Sequence, residues 1–424
     1  MNDLTPSIER ETGQVILDGL SAGVAGEAPL IPVPGLDLAF DRVDGRLVRV
    51  VADTAGTGES ISVGAQAAAM LRKLFGAHAP NVVTNPAGAL SPDPELAGTL
   101  SSLARLDAAR AASPVPPGSP WWAAEAAELA ERAGLSTRAE TEAHHALGKL
   151  LKQLDSINIT ALPEPAARAA LAVAALTAAD EPAGAARLRE AVNRRGGRSA
   201  APPPLSEFDV AAEVASLEKD RVPLGGLQWM LDPDLVPEGT FRPGLSPYSD
   251  LEVSHEKAPG QVVVEAVLAP GADCGALHRC LARLVDPDVR RVLVQAAFTK
   301  IAPDRVRAEL QLPFPLDELP ESWIEVVQDK LWPVRSAKGH RIRRALRWAD
   351  AALRAERAPA GLAPHSSRED WTALAATAWD RCRRDWEAAG DADRADQAAR
   401  RQAKVETTQP PAGGPAYLAE TLGR

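Results

Sequence analysis

The sequence predicts an α+β, multi-domain protein: a small N-terminal β-hairpin or sheet and a helical domain, then a mixed-sheet α/β domain with a C-terminal helical hairpin. Three observations predict this. Val306, Ala308, Leu310 and Leu312 alternate with Arg305, Arg307, Glu309 and Gln311, the period of a strand with one face buried and one wet. Residues 95–194 are alanine-rich segments at helical spacing, separated by Pro/Gly clusters such as Pro114-Val-Pro-Pro-Gly-Ser-Pro120. Arg194-Arg-Gly-Gly-Arg-Ser-Ala-Ala-Pro-Pro-Pro204 reads as a flexible, then stiff, linker between two halves.

In chain order, 1–57 is an N-terminal β-hairpin region. Gln14–Leu17 is a short strand; Leu36–Phe40 and Arg46–Ala52 are stronger ones, joined through Val43-Asp44-Gly45, whose Asp-Gly pair suits a tight primed turn. Residues 58–193 form a helical domain. Ala65, Leu71, Leu74 and Phe75 mark a helix that ends at Gly76; residues 79–95, with four Pro, read as a loop. Further helices are expected over 95–112, 119–134, 136–154, 163–178 and 183–194.

After the 194–205 linker, 206–331 is an α+β domain around 261–312. Gln261-Val-Val-Val-Glu-Ala-Val-Leu-Ala269 is β-branched and ends at Pro270-Gly271, so it is a buried strand. Asp273 stands at an N-cap position, and Leu277, Cys280, Leu281 and Leu284 follow at helical spacing until Pro287. Arg291–Lys300 is an apolar run, and the short 301–305 connection makes it a hairpin with 305–312, giving strand–helix–strand–strand. Leu316–Lys330 is expected to be helical, with Trp323 and Val327 on one face. Residues 332–403 form a basic, Trp-containing helical region with helices at Arg341–Arg357, Asp370–Gly390 and Ala392–Ala403. The tail 404–424, with Pro410-Pro-Ala-Gly-Gly-Pro415, is expected to be disordered.

Trp121-Trp122 opening a helix and Ala133-Gly134 closing it resemble the helical hairpins of tetratricopeptide repeats. The spacing does not recur at about 34 residues, so no repeat array follows.

The chain carries a net charge of −10, and nothing in it recruits nucleic acid or an anionic membrane globally. Three Cys and no long uncharged apolar run predict a cytoplasmic protein without disulfides or membrane spans. Neither cofactor nor metal is expected. Asp53-Thr-Ala-Gly-Thr-Gly-Glu-Ser60 sits where a phosphate-binding loop would, but such a loop needs Gly at 53 and Lys at 59, where this chain has Asp53 and Glu59. Cys274, His278 and Cys280 would diverge on a helix, as would His144 and His145. Ser254-His255-Glu256 offers nucleophile and base types without a nucleophile elbow.

Two features could form a surface. Residues 332–403 hold 15 Lys+Arg against 10 Asp+Glu, concentrated in Arg335, Lys338, His340, Arg341, Arg343, Arg344 and Arg347, with Trp332 and Trp348 flanking. Trp371, Trp379 and Trp386 form a stripe on the next helix, beside Arg381, Arg383 and Arg384. The stronger reading of the first is a solvated or internally ion-paired helix face, and of the second the core of a helical hairpin. The sequence therefore points first to a non-enzymatic protein-interaction, scaffold or regulatory protein with an unidentified protein partner. Its candidate contacts are Arg341, Arg343, Arg344, Arg347, Trp348, Trp371, Trp379 and Trp386. The alternatives are an enzyme with a pocket in 206–330 near His255, and a nucleic-acid-binding protein using 335–348.

Overall fold

The structure is a computed structural model. It describes every residue except 1–4, 10–13, 19–29, 34, 42–44, 56–61, 85–89, 157–161, 195–207, 219–226, 238, 256–259, 313–320, 329–332, 359–365, 408–416 and 423–424. The chain divides into two compact units, one of Met1–Ala108 with Pro120–Ala200, the other of Ala109–Ser119 with Ala201–Arg424.

The first unit opens with β1 (Thr5–Glu9), β2 (Gln14–Asp18), β3 (Leu30–Val33), β4 (Leu36–Phe40), β5 (Leu47–Ala55) and β6 (Ser62–Val63). They form one antiparallel sheet in the order β1-β2-β5-β4-β3, with β6 also on β5. The expected β4–β5 hairpin is present, although Val43 and Asp44 of its turn lie outside the described residues. Gly45 is at φ +74, the left-handed region that glycine occupies without a steric penalty. Helices follow: α1 (Ala65–Phe75), α2 (Ala79–Thr84), α3 (Pro94–Ala112), α4 (Pro120–Ala133), α5 (Ser136–Ser156), α6 (Glu164–Leu176) and α7 (Pro182–Arg194). Part of the loop read at 79–95 is thus the helix α2. Trp121 and Trp122, at the start of α4, are fully buried.

The second unit contains α8 (Val210–Glu218), β7 (Leu227–Met230), a 3-10 turn at Pro233–Leu235, β8 (Glu252–His255), β9 (Gln261–Val267), α9 (Cys274–Leu277), β10 (Leu281–Asp286), β11 (Arg291–Ala297), β12 (Thr299–Ala302), β13 (Arg305–Gln311), β14 (Ser322–Val327), α10 (Ala337–Arg357), α11 (Arg368–Ala388), α12 (Ala392–Thr407) and α13 (Leu418–Leu422). Its strands make two four-stranded sheets. One is antiparallel, β12-β13-β9-β8; the other is mixed, β11-β10-β14-β7, with β14 and β7 parallel. One core joins them: Val262, Val264, Val306, Ala308 and Leu310 from the first sheet with Leu227, Ala282, Leu284, Ile324 and Val326 from the second. The alternation at 305–311 is as expected, with Val306, Ala308 and Leu310 inside.

Two expected helices are strands. The helix read from Asp273 is a single turn, α9, whose Gly275 N–H donates to Asp273 Oδ1 at 2.8 Å. Residues 281–286 are β10, paired with β11 and β14. The expected strand–helix–strand–strand unit is therefore strand, one helical turn and four strands, with β12–β13 as its hairpin. The helix read at Leu316–Lys330 is β14 over its described part. Both strands are covered on two faces, which erases the period-2 signal. In β14, Ile324 and Val326 enter the sheet-to-sheet core, while Trp323 and Glu325 meet α10 on the other face. The i,i+4 spacing of Trp323 and Val327 was coincidental.

Ser336 caps α10, its side chain accepting from the Gly339 N–H, and Ser367 and Asp370 form a reciprocal capping box on α11. The tail differs from expectation: 404–407 extend α12 and 418–422 form α13, while 408–416 lie outside the described residues.

Candidate functional site

Position and burial decide the eight candidate contact residues. The Trp side chains are interior: Trp348, Trp371, Trp379 and Trp386 are at most 2% exposed. Trp348 meets Tyr248 edge-on at 5.4 Å, and Trp379 donates its indole N–H to Glu356 Oε1 at 2.6 Å. The stripe that faced two readings is the core of the α10–α12 layer, because an amphipathic helix covered by another helix directs its largest side chains inward.

The arginines are engaged by carboxylates of the same unit. Arg341 Nη2 is 2.9 Å from Glu321 Oε1. Arg343 pairs with Asp234 and lies 3.5 Å from Asp232, which Arg335 also contacts. Arg344 donates to both oxygens of Asp385, at 2.8 and 2.6 Å, and its guanidinium lies 4.6 Å from the Trp323 ring centre. Arg347 donates to both oxygens of Asp250 at 2.9 and 2.7 Å. The local sequence shows a basic run because the matching acids come from segments up to 109 residues away. A phosphate backbone would have to displace these carboxylates, which weighs against nucleic-acid recognition through this helix. Trp332 lies outside the described residues.

Titration follows the same geometry. Burial alone would push Asp232 up, but Arg343 and Arg335 hold it below the usual carboxylate range. Burial likewise opposes ionisation of Glu325, and His340, with Nε2 2.9 Å away, and Arg283, with Nε 2.6 Å away, hold it low. The His340 ring stacks on Trp323 at 4.8 Å. Burial pushes Asp250 above its ordinary value in spite of Arg347. The Glu325–His340 pair joins β14 to α10.

Among the described residues the remaining motif-like side chains do not converge. Residues 56–60 of the Gly-rich turn, and the side chains of Cys274 and His255, lie outside the described set. Cys280 is buried, donates to the Ala276 carbonyl, and has its thiol pushed up to about 11 by burial, so it is an inert core thiol. His144 donates from Nδ1 to the Glu140 carbonyl at 2.8 Å, while His145 is exposed. Among the described residues no group of three His, Cys, Asp or Glu could hold a metal ion, and no helix is long and apolar enough to cross a membrane.

What the second unit does present is a cleft of about 210 Å³. Pro114, Pro116 and Pro117 make one wall; Leu231, Val236 and Phe241 belong to the other. Among the described residues of the lining Arg242 is the one ionisable side chain, and its guanidinium stands 4.7 Å from the Phe208 ring centre. The walls are pinned. Prolines fix φ; the Arg242 N–H donates to the Val267 carbonyl at 2.8 Å, and Phe241 packs on Phe298 with ring centres 5.5 Å apart. Behind the cleft, Arg354 donates to the carbonyls of Ala112 at 2.5 Å and of Gly244 and Leu245 at 3.4 Å, tying the 109–119 segment to the 244–245 loop. Sequence reasoning took the prolines of 114–120 as helix separators; their recurrence at Pro233, Pro237 and Pro243 was the available signal.

The chain matches no protein-family model, and no curated protein or solved structure is similar to it.

Proposed function

We propose that the chain is a non-enzymatic protein-interaction protein, of scaffold or regulatory type and cytoplasmic, and that the proline-walled cleft of its second unit is a docking site. The carrying observation is the described lining: a surface mostly of Pro, Val, Leu and Phe that also holds Arg242. Such a lining offers shape and apolar area, and among the described residues it brings together neither a paired acid and base nor a nucleophile beside its base. The occupant that suits it is an extended segment of a partner protein, placing an aliphatic or proline side chain against Val236 and Phe241.

The test is retention of a partner that maps to the cleft. Full-length protein and its Val236→Glu and Pro116→Glu variants are used as bait, with Val289→Glu, at a 66% exposed site, as the surface control. A partner held by wild type and the control but lost from both cleft variants supports the reading. Equal retention by all four proteins sinks it.

A further inference from the structure

The helix α13 packs on α10 through a buried charged contact. Glu420 has no exposed surface and is held by two cations of α10: Arg357 Nη2 at 3.1 Å and Arg354 Nε at 3.6 Å. The Arg357 guanidinium also stands 4.4 Å from the Tyr417 ring centre. Leu418, Ala419 and Leu422 are buried beside them. The whole pattern spans six residues: Tyr417, two apolar residues, the carboxylate, and Leu422 two positions on. A five-residue helix has no stability of its own, so the order of α13 comes from the seat.

We propose that the Arg354–Arg357 seat is a peptide-docking site which the chain's own segment 417–422 fills in cis, and that a partner protein's segment of the same chemistry, aromatic-x-x-Glu-x-Leu, takes it in trans. The inference rests on the reading of the chain as a protein-interaction protein and adds to it a second, acid-specific seat. The chemistry is matched on each count. Two buried guanidiniums require a carboxylate, because burial without one is costly. Glu420 supplies it for Arg357, holding that guanidinium's pKa above its ordinary value against the pull of burial, while burial brings Arg354 down to about 10. The Tyr417 ring adds a cation–π contact to Arg357. A tethered ligand acts at an effective concentration on the order of millimolar, so a competitor must bind well below that to displace it.

The experiment uses the full chain and a fluorescent synthetic peptide with the sequence of residues 416–424, titrated by anisotropy. In the Tyr417→Ala/Glu420→Ala variant the internal ligand is disabled and the seat intact. That variant is expected to bind the peptide at least about tenfold more tightly than wild type, in which the tethered copy competes. Adding Arg357→Ala to the same variant is expected to abolish binding. Equal binding to wild type and variant, or no binding to a variant with native circular dichroism, overturns the proposal. Should the double variant not fold, hydrogen exchange on wild type decides. Amides of 418–422 that exchange ahead of α10 support an exchangeable ligand; amides that exchange only with α10 make α13 a fixed part of the fold and overturn it. Both readouts are independent of the cleft, so failure here leaves the Val236→Glu result standing, and the reverse.

Discussion

Arg347 of α10 meets Asp250 with Nη2 2.7 Å from Oδ2, both side chains buried, and the same carboxylate accepts the Gly244 N–H at 2.8 Å. The pair thereby fixes the 244–250 loop to the helix. Removing one partner of a buried pair leaves a charge without compensation and costs about 3–5 kcal/mol. Arg347→Met is expected to lose that much in urea unfolding. Adding Asp250→Asn, which is neutral but still accepts from Gly244, is expected to recover part of the loss. A double variant no more stable than Arg347→Met would show that the charge of Asp250 is not what destabilises it.

Gly244 predicts a second cost. A Cβ built on it would lie 2.6 Å from the backbone carbon and oxygen of Ser249, so the loop would have to open. Overpacking of this kind costs about 1–3 kcal/mol. Gly244→Ala is expected to fall in that range by thermal or urea unfolding, whereas Gly98→Ala, with open space at the Cβ, is not expected to destabilise.

Acid sensitivity follows from Asp232 and Glu325. Both carboxyls are held below their ordinary values in the folded state. Their contribution is therefore complete above the ordinary carboxylate pKa of about 4 and is lost as pH falls through the lower folded values. Asp250, raised by burial, has the opposite sign. The expected urea midpoint declines below about pH 4. Asp232→Asn should flatten that decline; an unchanged slope would remove Asp232 from the account.

The indole of Trp379 donates to Glu356, which is 2% exposed. Hydrogen bonds to a charged group contribute about 1.5–3 kcal/mol. Trp379→Phe, which removes both this donor and part of the ring, is expected to cost at least that in chemical unfolding. A loss below 1 kcal/mol, on the order of a neutral hydrogen bond, would show that Glu356 finds another donor.

The sequence made legible those elements with one wet face: β13 alternates because Arg305, Arg307 and Glu309 face outward. The caps Ser336 and Ser367 went unread, so the helices expected from Arg341 and Asp370 begin earlier, at Ala337 and Arg368. β10 and β14 were illegible because both of their faces are covered; Arg283 sits in the interior of β10 only because Glu325 neutralises it from β14. The ion pairing of the arginine candidates was illegible for a related reason. A run of arginines shows its charge locally, whereas Asp232, Asp250 and Glu420, which neutralise it, are brought in by the fold. The cleft was hidden in three separated proline groups, and α13 in a segment whose order depends on two distant arginines.

The ion pairs of α10 also set an order of assembly. With Ser336 capping it and alanines throughout, the helix can begin locally, yet a synthesised α10 displays its cations until acids 97 to 109 residues upstream are folded against it. Glu420, which serves Arg354 and Arg357, leaves the ribosome 63 residues after Arg357. Contacts of such sequence separation slow folding. During synthesis Arg354 and Arg357 therefore keep their water until Glu420, or a segment of the same chemistry, is folded onto them.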